Sequence, residues 1–304
     1  MADTITDAEV LAFIERNDGL YPADTVDLSI GQQREVYDRM SEVFGVGYPE
    51  GVAAEDGAFS GPGGAIRFRR YTPTDPGAER VLYFHGGGFV VGGLESHDDV
   101  CAEISETCGV EVVSIDYRLC PENPHPAAYD DAVAAVLEFR DKPLILCGDS
   151  AGGNLAAAVS LSHRDRVQAQ VLIYPGLGGN ALNLRSYSER AEAPMLTAKD
   201  LAFYATIRTG GAPPPVGDPT FSPLISNNFS GAPPCFVSSA EHDPLRDDGP
   251  EYAARLLAAG VVAETVVEPE LPHGHLRARH MSRRAAEAFR AITGAISAVC
   301  DGAR

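Results

Sequence analysis

One serine of the chain stands in a setting that could turn its hydroxyl into a nucleophile. Residues 148–154 read Gly-Asp-Ser-Ala-Gly-Gly-Asn and follow the apolar run 143–147, so Ser150 is the centre of a G-x-S-x-G pattern. In this pattern the serine occupies a tight strand-to-helix turn, which small flanking residues permit. The same letters also fit a glycine-rich turn with a solvated serine. Alone, the pattern leaves both interpretations open.

A second glycine-rich segment makes the catalytic interpretation the stronger one. Residues 85–89 read His-Gly-Gly-Gly-Phe and follow another apolar run, 81–84. Glycines lack side chains, so their N–H groups can approach a developing oxyanion closely, and such donors typically contribute roughly 3 kcal/mol each to transition-state stabilisation. Together the two segments predict an acyl-transfer site with a nucleophile and an oxyanion hole.

A nucleophilic serine requires an imidazole to take its proton and a carboxylate to orient that imidazole. The carboxylates that follow the apolar run 235–239 are Glu241, Asp243, Asp247 and Asp248. The imidazoles that follow the run ending near Val267 are His273 and His275. An H-x-H pair could also bind a metal ion with Glu268 or Glu270, but the spacing matches no standard metal motif, and we expect no metal.

The elements that must position these groups can be read from the apolar pattern. Strands are expected at residues 65–71, 81–84, 109–115, 143–147, 167–174, 235–239 and 262–267. Helices are expected at residues 6–17, 31–45, 97–108, 127–140, 198–207 and 278–299. Residues 45–64, rich in glycine and acidic side chains, are expected to form a linker. This alternation predicts an α/β protein with a mostly parallel sheet, and ligands bind at the carboxyl ends of such strands.

The composition excludes two classes of binding partner. The chain has 304 residues and a formal net charge of −19, so it offers no basic surface for nucleic acid or for an anionic membrane. No stretch approaches the eighteen apolar residues of a membrane span. The six cysteines show no C-x-x-C pair and the first residues no signal-peptide pattern, so we expect reduced thiols and a cytoplasmic location.

Several motifs, in this order, resemble the hormone-sensitive lipase family of α/β-hydrolases, bacterial esterase branch. They are residues 85–89, 116–122 (Asp-Tyr-Arg-Leu-Cys-Pro-Glu), 148–154, 218–219 with 222–224, 243–249 (Asp-Pro-Leu-Arg-Asp-Asp-Gly) and 273–274. The resemblance implies the α/β-hydrolase fold, with an eight-stranded sheet flanked by helices, and hydrolysis of carboxylic esters without a cofactor. It divides the chain into N-terminal cap helices (1–50), core (51–177), a cap insertion after the sixth strand (178–228) and further core (229–304).

Carried over by position, the family pattern makes Ser150 the nucleophile, Asp243 the triad acid and His273 the base. It assigns the oxyanion N–H groups to Gly87, Gly88 and Ala151, and the support of that loop to His85 and Gly86. Asp116, Arg118 and Glu122 would be structural charges that pair with one another. The remaining histidines are expected to be ordinary surface or loop residues: His97, His125, His163 and His280.

Substrate choice is expected to depend on the cap. Candidates to line an apolar pocket are Phe13, Tyr21, Phe89, Leu94, Tyr174, Met195, Phe203, Tyr204, Leu245 and Leu276. We expect a small-molecule ester with an acyl group of about two to eight carbons, by analogy with the family and its short cap. The same triad would also suit an amidase, an arylformamidase or a lactonase. A non-catalytic receptor on this fold is a further alternative, which the presence of His273 opposes. The resemblance also allows a homodimer formed through the last strand.

Overall fold

The computed structural model describes residues 4–22 and 24–302, and an eight-stranded sheet forms its centre. The strands are β1 (Val52–Gly61), β2 (Gly64–Pro73), β3 (Arg80–Phe84), β4 (Glu111–Asp116), β5 (Leu144–Asp149), β6 (Val167–Ile173), β7 (Cys235–His242) and β8 (Ala263–Pro272). Their order is β1-β2-β4-β3-β5-β6-β7-β8. The β1–β2 and β2–β4 pairs are antiparallel and the others parallel, which confirms the mostly parallel sheet.

Helices connect the strands and cover both faces of the sheet. They are α1 (Ala8–Leu20), α2 (Ile30–Phe44), α3 (Asp98–Cys108), α4 (Ala127–Glu138), α5 (Ala151–Ser162), α6 (Ser186–Glu189), α7 (Ala198–Arg208), α8 (Asp248–Ala258) and α9 (Arg283–Cys300). Side chains alternate along β3, so that Leu82 and Phe84 pack with α4, α5 and α8, while Val81 and Tyr83 pack with α3 and α9. Because both faces are covered, the central strands read as continuous apolar runs.

The segment 45–64 corrects one expectation. Half of it is strand β1, whose pairing with β2 runs without a break from Val52 opposite Pro73 to Gly61 opposite Gly64. An edge strand obtains its backbone hydrogen bonds from a single neighbour and keeps one side in water, so it needs few apolar residues. Only Phe59 of β1 is buried, and Asp56 pairs with Arg69 across the two strands at 2.6 Å. The polar composition that suggested a linker is that of an exposed hairpin.

Capping residues decide where several helices begin. Asp7 accepts the N–H groups of Glu9 and Val10 at the start of α1, and Ser29 forms a capping box with Gln32 at the start of α2. The last helix was expected from residue 278, but Ser282 caps it and α9 starts at Arg283. Residues 275–278 instead form a short 3₁₀ turn.

Two parts of the chain lie outside the strand-and-helix alternation. The N-terminal arm contains α1 and α2, and the insertion between β6 and β7 contains α6 and α7. The two meet where the hydroxyls of Tyr21 and Tyr204 lie 3.3 Å apart. The boundaries 1–50, 51–177, 178–228 and 229–304 stay a prediction. No helix within residues 4–22 and 24–302 combines the length and apolarity needed to cross a membrane.

Three charged residues expected to pair with one another do not. The structure pairs Asp116 with Arg67, Arg118 with Asp131, and Glu122 with Arg34. The reason is their position: Asp116 is the last residue of β4 and faces β2, whereas Arg118 and Glu122 lie in the loop that follows and face α4 and α2. All six cysteines are free thiols.

Candidate active site

Ser150 lies on the turn between β5 and α5, in a backbone conformation that few side chains adopt. Its φ is 53° and its ψ is −114°, and its N–H donates to the carbonyl of Ile173 at 2.9 Å. The glycines on either side are sterically required. A Cβ on Gly152 would overlap the carbonyl oxygen of Phe84, and one on Gly148 would lie 2.5 Å from the carbonyl carbon of Gly152. The pattern G-x-S-x-G therefore needs its glycines because strand β3 and helix α5 are in direct contact.

A continuous line of hydrogen bonds joins Ser150 to a histidine and an aspartate. The His273 Nε2 atom lies 2.9 Å from the Ser150 Oγ atom, and the His273 Nδ1 atom lies 2.6 Å from an Asp243 carboxylate oxygen. Asp243 is fully buried, and its other oxygen accepts the N–H of Leu245 at 2.8 Å. The arrangement suits a base that takes the serine proton and a carboxylate that stabilises the resulting imidazolium.

The second histidine of the H-x-H pair has a different environment. His275 is buried, its Nδ1 atom lies 3.0 Å from the carbonyl oxygen of Pro272, and its ring packs edge-on against Tyr174. Burial lowers its pKa to about 4, so His275 is neutral at pH 7. It is a packed core residue rather than a second base.

The rival carboxylates are also engaged elsewhere. Glu241 accepts the N–H of Glu270, Asp247 accepts the N–H of Ser186, and Asp248 accepts the N–H of Leu177. Of the four acids that sequence left open, Asp243 is the one hydrogen-bonded to His273 within the described chain.

The His-Gly-Gly-Gly segment approaches Ser150 from the end of β3. Gly87 and Gly88, with φ values of 122° and 62°, line the same cavity as Ser150 and Ala151. A Cβ on Gly87 would overlap the carbonyl oxygen of Val91, and one on Gly88 would lie 2.5 Å from the ring of Tyr204. Only glycine fits at both positions, and both glycines line the cavity together with Ala151, the first residue of α5.

His85 and Gly86 hold this loop from behind. The His85 ring stacks on Tyr117 with 4.3 Å between ring centres, and its Nδ1 atom lies 2.7 Å from the Gly86 carbonyl oxygen. Burial lowers the pKa of His85 to about 4. The side chain therefore acts as a neutral brace and does not face the cavity.

Asp149 and His97 are structural partners of the site that sequence reasoning missed. One oxygen of Asp149 accepts the N–H of Gly86 at 2.9 Å and the hydroxyl of Tyr83 at 2.9 Å. His97, expected to be an ordinary loop residue, is buried and its Nε2 atom lies 3.2 Å from the same oxygen. Burial opposes ionisation of Asp149, but the contacts with His97 and Tyr83 outweigh it, and its pKa lies below the usual range. The residue next to the serine thus ties the oxyanion loop to β5.

A cavity of about 530 Å³ opens above Ser150, within the range typical of small-molecule sites. The structure places six of the ten predicted pocket residues in its wall: Tyr21, Phe89, Tyr174, Met195, Tyr204 and Leu245. Four other candidates lie elsewhere: Phe13, Leu94, Phe203 and Leu276.

Packing explains these four corrections. Phe13 is buried against Phe44, Leu94 is 2% exposed within a 3₁₀ turn, and Leu276 belongs to the core on the α9 side of the sheet. Phe203 of α7 does not line the cavity, and its ring packs edge-on against that of Tyr204 with 5.5 Å between ring centres.

Two arginines in the cavity wall were not foreseen. Arg208 donates to the Phe221 carbonyl at 3.0 Å and to the Asn154 side-chain oxygen at 3.1 Å. Its guanidinium lies 3.7 Å from the Phe89 ring centre and 4.1 Å from that of Phe221. Arg277 is the second. Nothing in the local sequence pattern indicates that either faces the site. No metal-binding cluster of three or more His, Cys, Asp or Glu side chains occurs in the described residues.

Comparisons with known proteins agree with this geometry. Residues 81–277 match a family model described as the alpha/beta hydrolase fold. The carboxylic ester hydrolase LipN of Mycobacterium tuberculosis is 35% identical over 280 residues, which cover 85% of this chain and 72% of that protein. The carboxylesterase NlhH of the same organism is 39% identical over 225 residues, covering 68% and 70%. The esterase of Pyrobaculum calidifontis has a similar solved structure, with a TM-score of 0.84, 34% identity and coverage of 90% and 94%.

Proposed function

Because the chain belongs to the α/β-hydrolase family, whose model matches residues 81–277, and because the chain is a carboxylic ester hydrolase, we propose that Ser150, His273 and Asp243 carry out the hydrolysis. The observation that carries the proposal is the unbroken hydrogen-bonded line from Ser150 Oγ through His273 to Asp243 at the floor of the cavity. The motifs that resemble those of the hormone-sensitive lipase family agree with this assignment of the three residues.

In the acylation half, His273 Nε2 takes the proton of Ser150 as the serine oxygen attacks the ester carbonyl. The carbonyl oxygen becomes an oxyanion, which we expect the N–H groups of Gly87, Gly88 and Ala151 to bind. The His273 imidazolium, stabilised by Asp243, then gives its proton to the departing alcohol. In the second half a water molecule repeats these steps on the acyl-serine and releases the acid.

The cavity supports small substrates rather than long lipids. Its volume of about 530 Å³ and its aromatic wall suit acyl groups of about two to eight carbons. Amides and lactones react through the same triad, but the relatives described above are ester hydrolases by name, and we assign esters. A receptor would not need the His273 contact with Ser150. The cytoplasmic location and the homodimer stay predictions.

The test is hydrolysis of p-nitrophenyl esters of increasing acyl length by the wild type and by Ser150→Ala and His273→Ala. Each substitution is expected to lower kcat by at least about 10⁴-fold, because serine and histidine act as a unit. His163→Ala, which removes a partly exposed histidine bonded to Ser162, should leave kcat unchanged. Hydrolysis that survives Ser150→Ala would refute the mechanism, and a profile that peaks at long chains would refute the proposed acyl range.

A further inference from the structure

Arg277 is a cation in the cavity wall without a matching anion. Its Nε and Nη2 atoms are buried and have no hydrogen-bond partner, and no carboxylate of residues 4–22 or 24–302 forms an ion pair with it. Arg279, two positions along, differs sharply, since it pairs with Asp99 at 2.5 Å and Glu103 at 2.8 Å. A buried charge normally has such a partner, because removal from water is costly.

The position of Arg277 puts its head group at the site. It follows His273 by four residues, and its Nη1 atom lies 3.5 Å from where a Cβ on Gly274 would stand. Both Gly274 and Arg277 line the cavity. The guanidinium carbon lies 4.8 Å from the ring centre of Tyr37 in α2, which holds the side chain against the N-terminal arm. Tyr37 is neutral and cannot cancel the charge.

The other charges of the cavity do not supply the missing anion. Asp149 is the one carboxylate among the lining residues. It attracts the Arg277 guanidinium through space, but within the described chain it forms no ion pair with Arg277, and it already binds His97, Tyr83 and the N–H of Gly86. Arg208 uses its terminal nitrogens on protein acceptors. Although the whole chain carries a net charge of −19, the cavity wall therefore has spare positive charge, and Arg277 is the arginine of this wall whose donors lack protein acceptors.

We propose that the preferred substrates are esters that carry a free carboxylate and that Arg277 binds this carboxylate. The substrate classes are monoesters of dicarboxylic acids, with the charge on the acyl side, and acyl esters of hydroxy acids, with the charge on the alcohol side. A guanidinium stays charged in proteins and offers a planar set of donors that matches a carboxylate. This inference rests on the proposed function, since the bound ester must also reach Ser150.

The experiment compares substrates of matched shape in which an isopropyl group replaces the carboxylate. Monoethyl succinate is paired with ethyl isocaproate for the acyl side, and β-acetoxypropionate with isoamyl acetate for the alcohol side, with acid release followed in a pH-stat. For the wild type and Arg277→Gln, the measured quantity is the ratio of kcat/KM for the charged ester to that for the neutral ester. We expect Arg277→Gln to lower this ratio about 10- to 100-fold for at least one pair, as the loss of a charged hydrogen bond implies.

Two further variants separate recognition from general effects. Arg283→Gln removes an exposed arginine six residues further along the chain and should leave the ratio unchanged, which excludes net charge as the cause. Arg277→Lys keeps the charge but loses the planar donors, so its ratio of kcat/KM values should lie between those of Arg277→Gln and the wild type. Comparing variants also cancels the long-range repulsion of anions by the acidic chain.

The outcomes distinguish the two proposals. If Arg277→Gln changes charged and neutral esters equally, or if the wild type hydrolyses neither charged ester, carboxylate recognition is wrong while the ester hydrolase assignment stands. If Ser150→Ala leaves hydrolysis of the neutral esters intact, the catalytic mechanism itself is wrong. A lowered ratio with neutral-ester hydrolysis retained supports the inference, and also shows that Arg277→Gln folds.

Discussion

At the scale of single residues, the site depends on positions where a side chain is absent as much as on those where one is present. Gly152 is the first example, because a Cβ there would overlap backbone atoms of Phe84 and His85. Those atoms belong to the end of β3 and cannot move like the tip of a flexible side chain. The contact brings the oxyanion loop and the nucleophile together, so the glycine that permits the serine turn also sets the spacing of the two halves of the site.

Gly152→Ala should therefore lower both stability and activity. We expect a loss of about 1–3 kcal/mol or more in the free energy of unfolding, from forced separation of β3 and α5, together with a fall in kcat. Denaturant unfolding and ester hydrolysis measure the two effects. Gly31→Ala is the matched control, because Gly31 lies in α2 with open space around it, and alanine there should stabilise by about 0.5–1 kcal/mol. Equal stability of Gly152→Ala and wild type would contradict the steric argument.

At the scale of elements, the cavity is enclosed by two segments that are far apart in sequence. The N-terminal arm supplies Tyr21 and Tyr37, and helix α7 of the insertion supplies Tyr204 and Arg208. The arm and α7 touch through the paired hydroxyls of Tyr21 and Tyr204. Because neither segment belongs to the sheet, this contact between them helps to keep the roof of the cavity closed over Ser150.

A double-mutant cycle should detect that contact. Tyr21→Phe and Tyr204→Phe are each expected to destabilise the protein, and the two effects should be non-additive by about 0.5–1.5 kcal/mol, the range of a neutral hydrogen bond. Urea unfolding of the four proteins provides the measurement. Tyr129→Phe, which loses a bond to Ser162, is the control partner and should be additive with Tyr204→Phe. Additivity within the Tyr21–Tyr204 pair would show that the hydroxyls do not stabilise the roof.

At the scale of the whole molecule, Asp248 links the insertion to the core. It stands at the first residue of α8 and accepts the N–H groups of Leu177 and Gly179 and the hydroxyl of Tyr187. One of its oxygens is buried without a partner. Burial raises the pKa of Asp248 to about 7, so the folded protein keeps a proton there that the unfolded chain releases near its ordinary pKa of 3.8.

This difference makes folding stability depend on pH in a defined direction. The folded state binds the extra proton between about pH 4 and pH 7, so the contribution of Asp248 is fully present below pH 4 and is lost as the pH rises through 7. Asp248→Asn removes this dependence. Relative to wild type, the variant should gain about 3 kcal/mol between pH 4.5 and pH 8, measured by denaturant unfolding at each pH. The exposed Asp75→Asn should show no such trend, and a flat difference for Asp248→Asn would refute the assignment.

The sequence by itself was enough to predict the features that depend on local chain geometry or on strand order. A G-x-S-x-G turn, a glycine segment after β3 and polar groups after β7 and β8 predict a shared site, because the carboxyl ends of parallel strands meet at one edge. Strand β1 escaped prediction, since its pairing with β2 and not its composition makes it a strand. The start of α9 likewise depends on the cap at Ser282.

The residues themselves left two histidines and four carboxylates open, and the family resemblance singled out His273 and Asp243, but only the tertiary structure gives the physical reason for that choice. His273 rather than His275 reaches Ser150, because the adjacent turn directs one ring to the cavity and the other into the core. The same holds for the Asp149–His97 pair and for the unpaired charge of Arg277. Each depends on the distance between residues on different elements, and a contact of that kind has no periodicity or spacing along the chain from which it could be read.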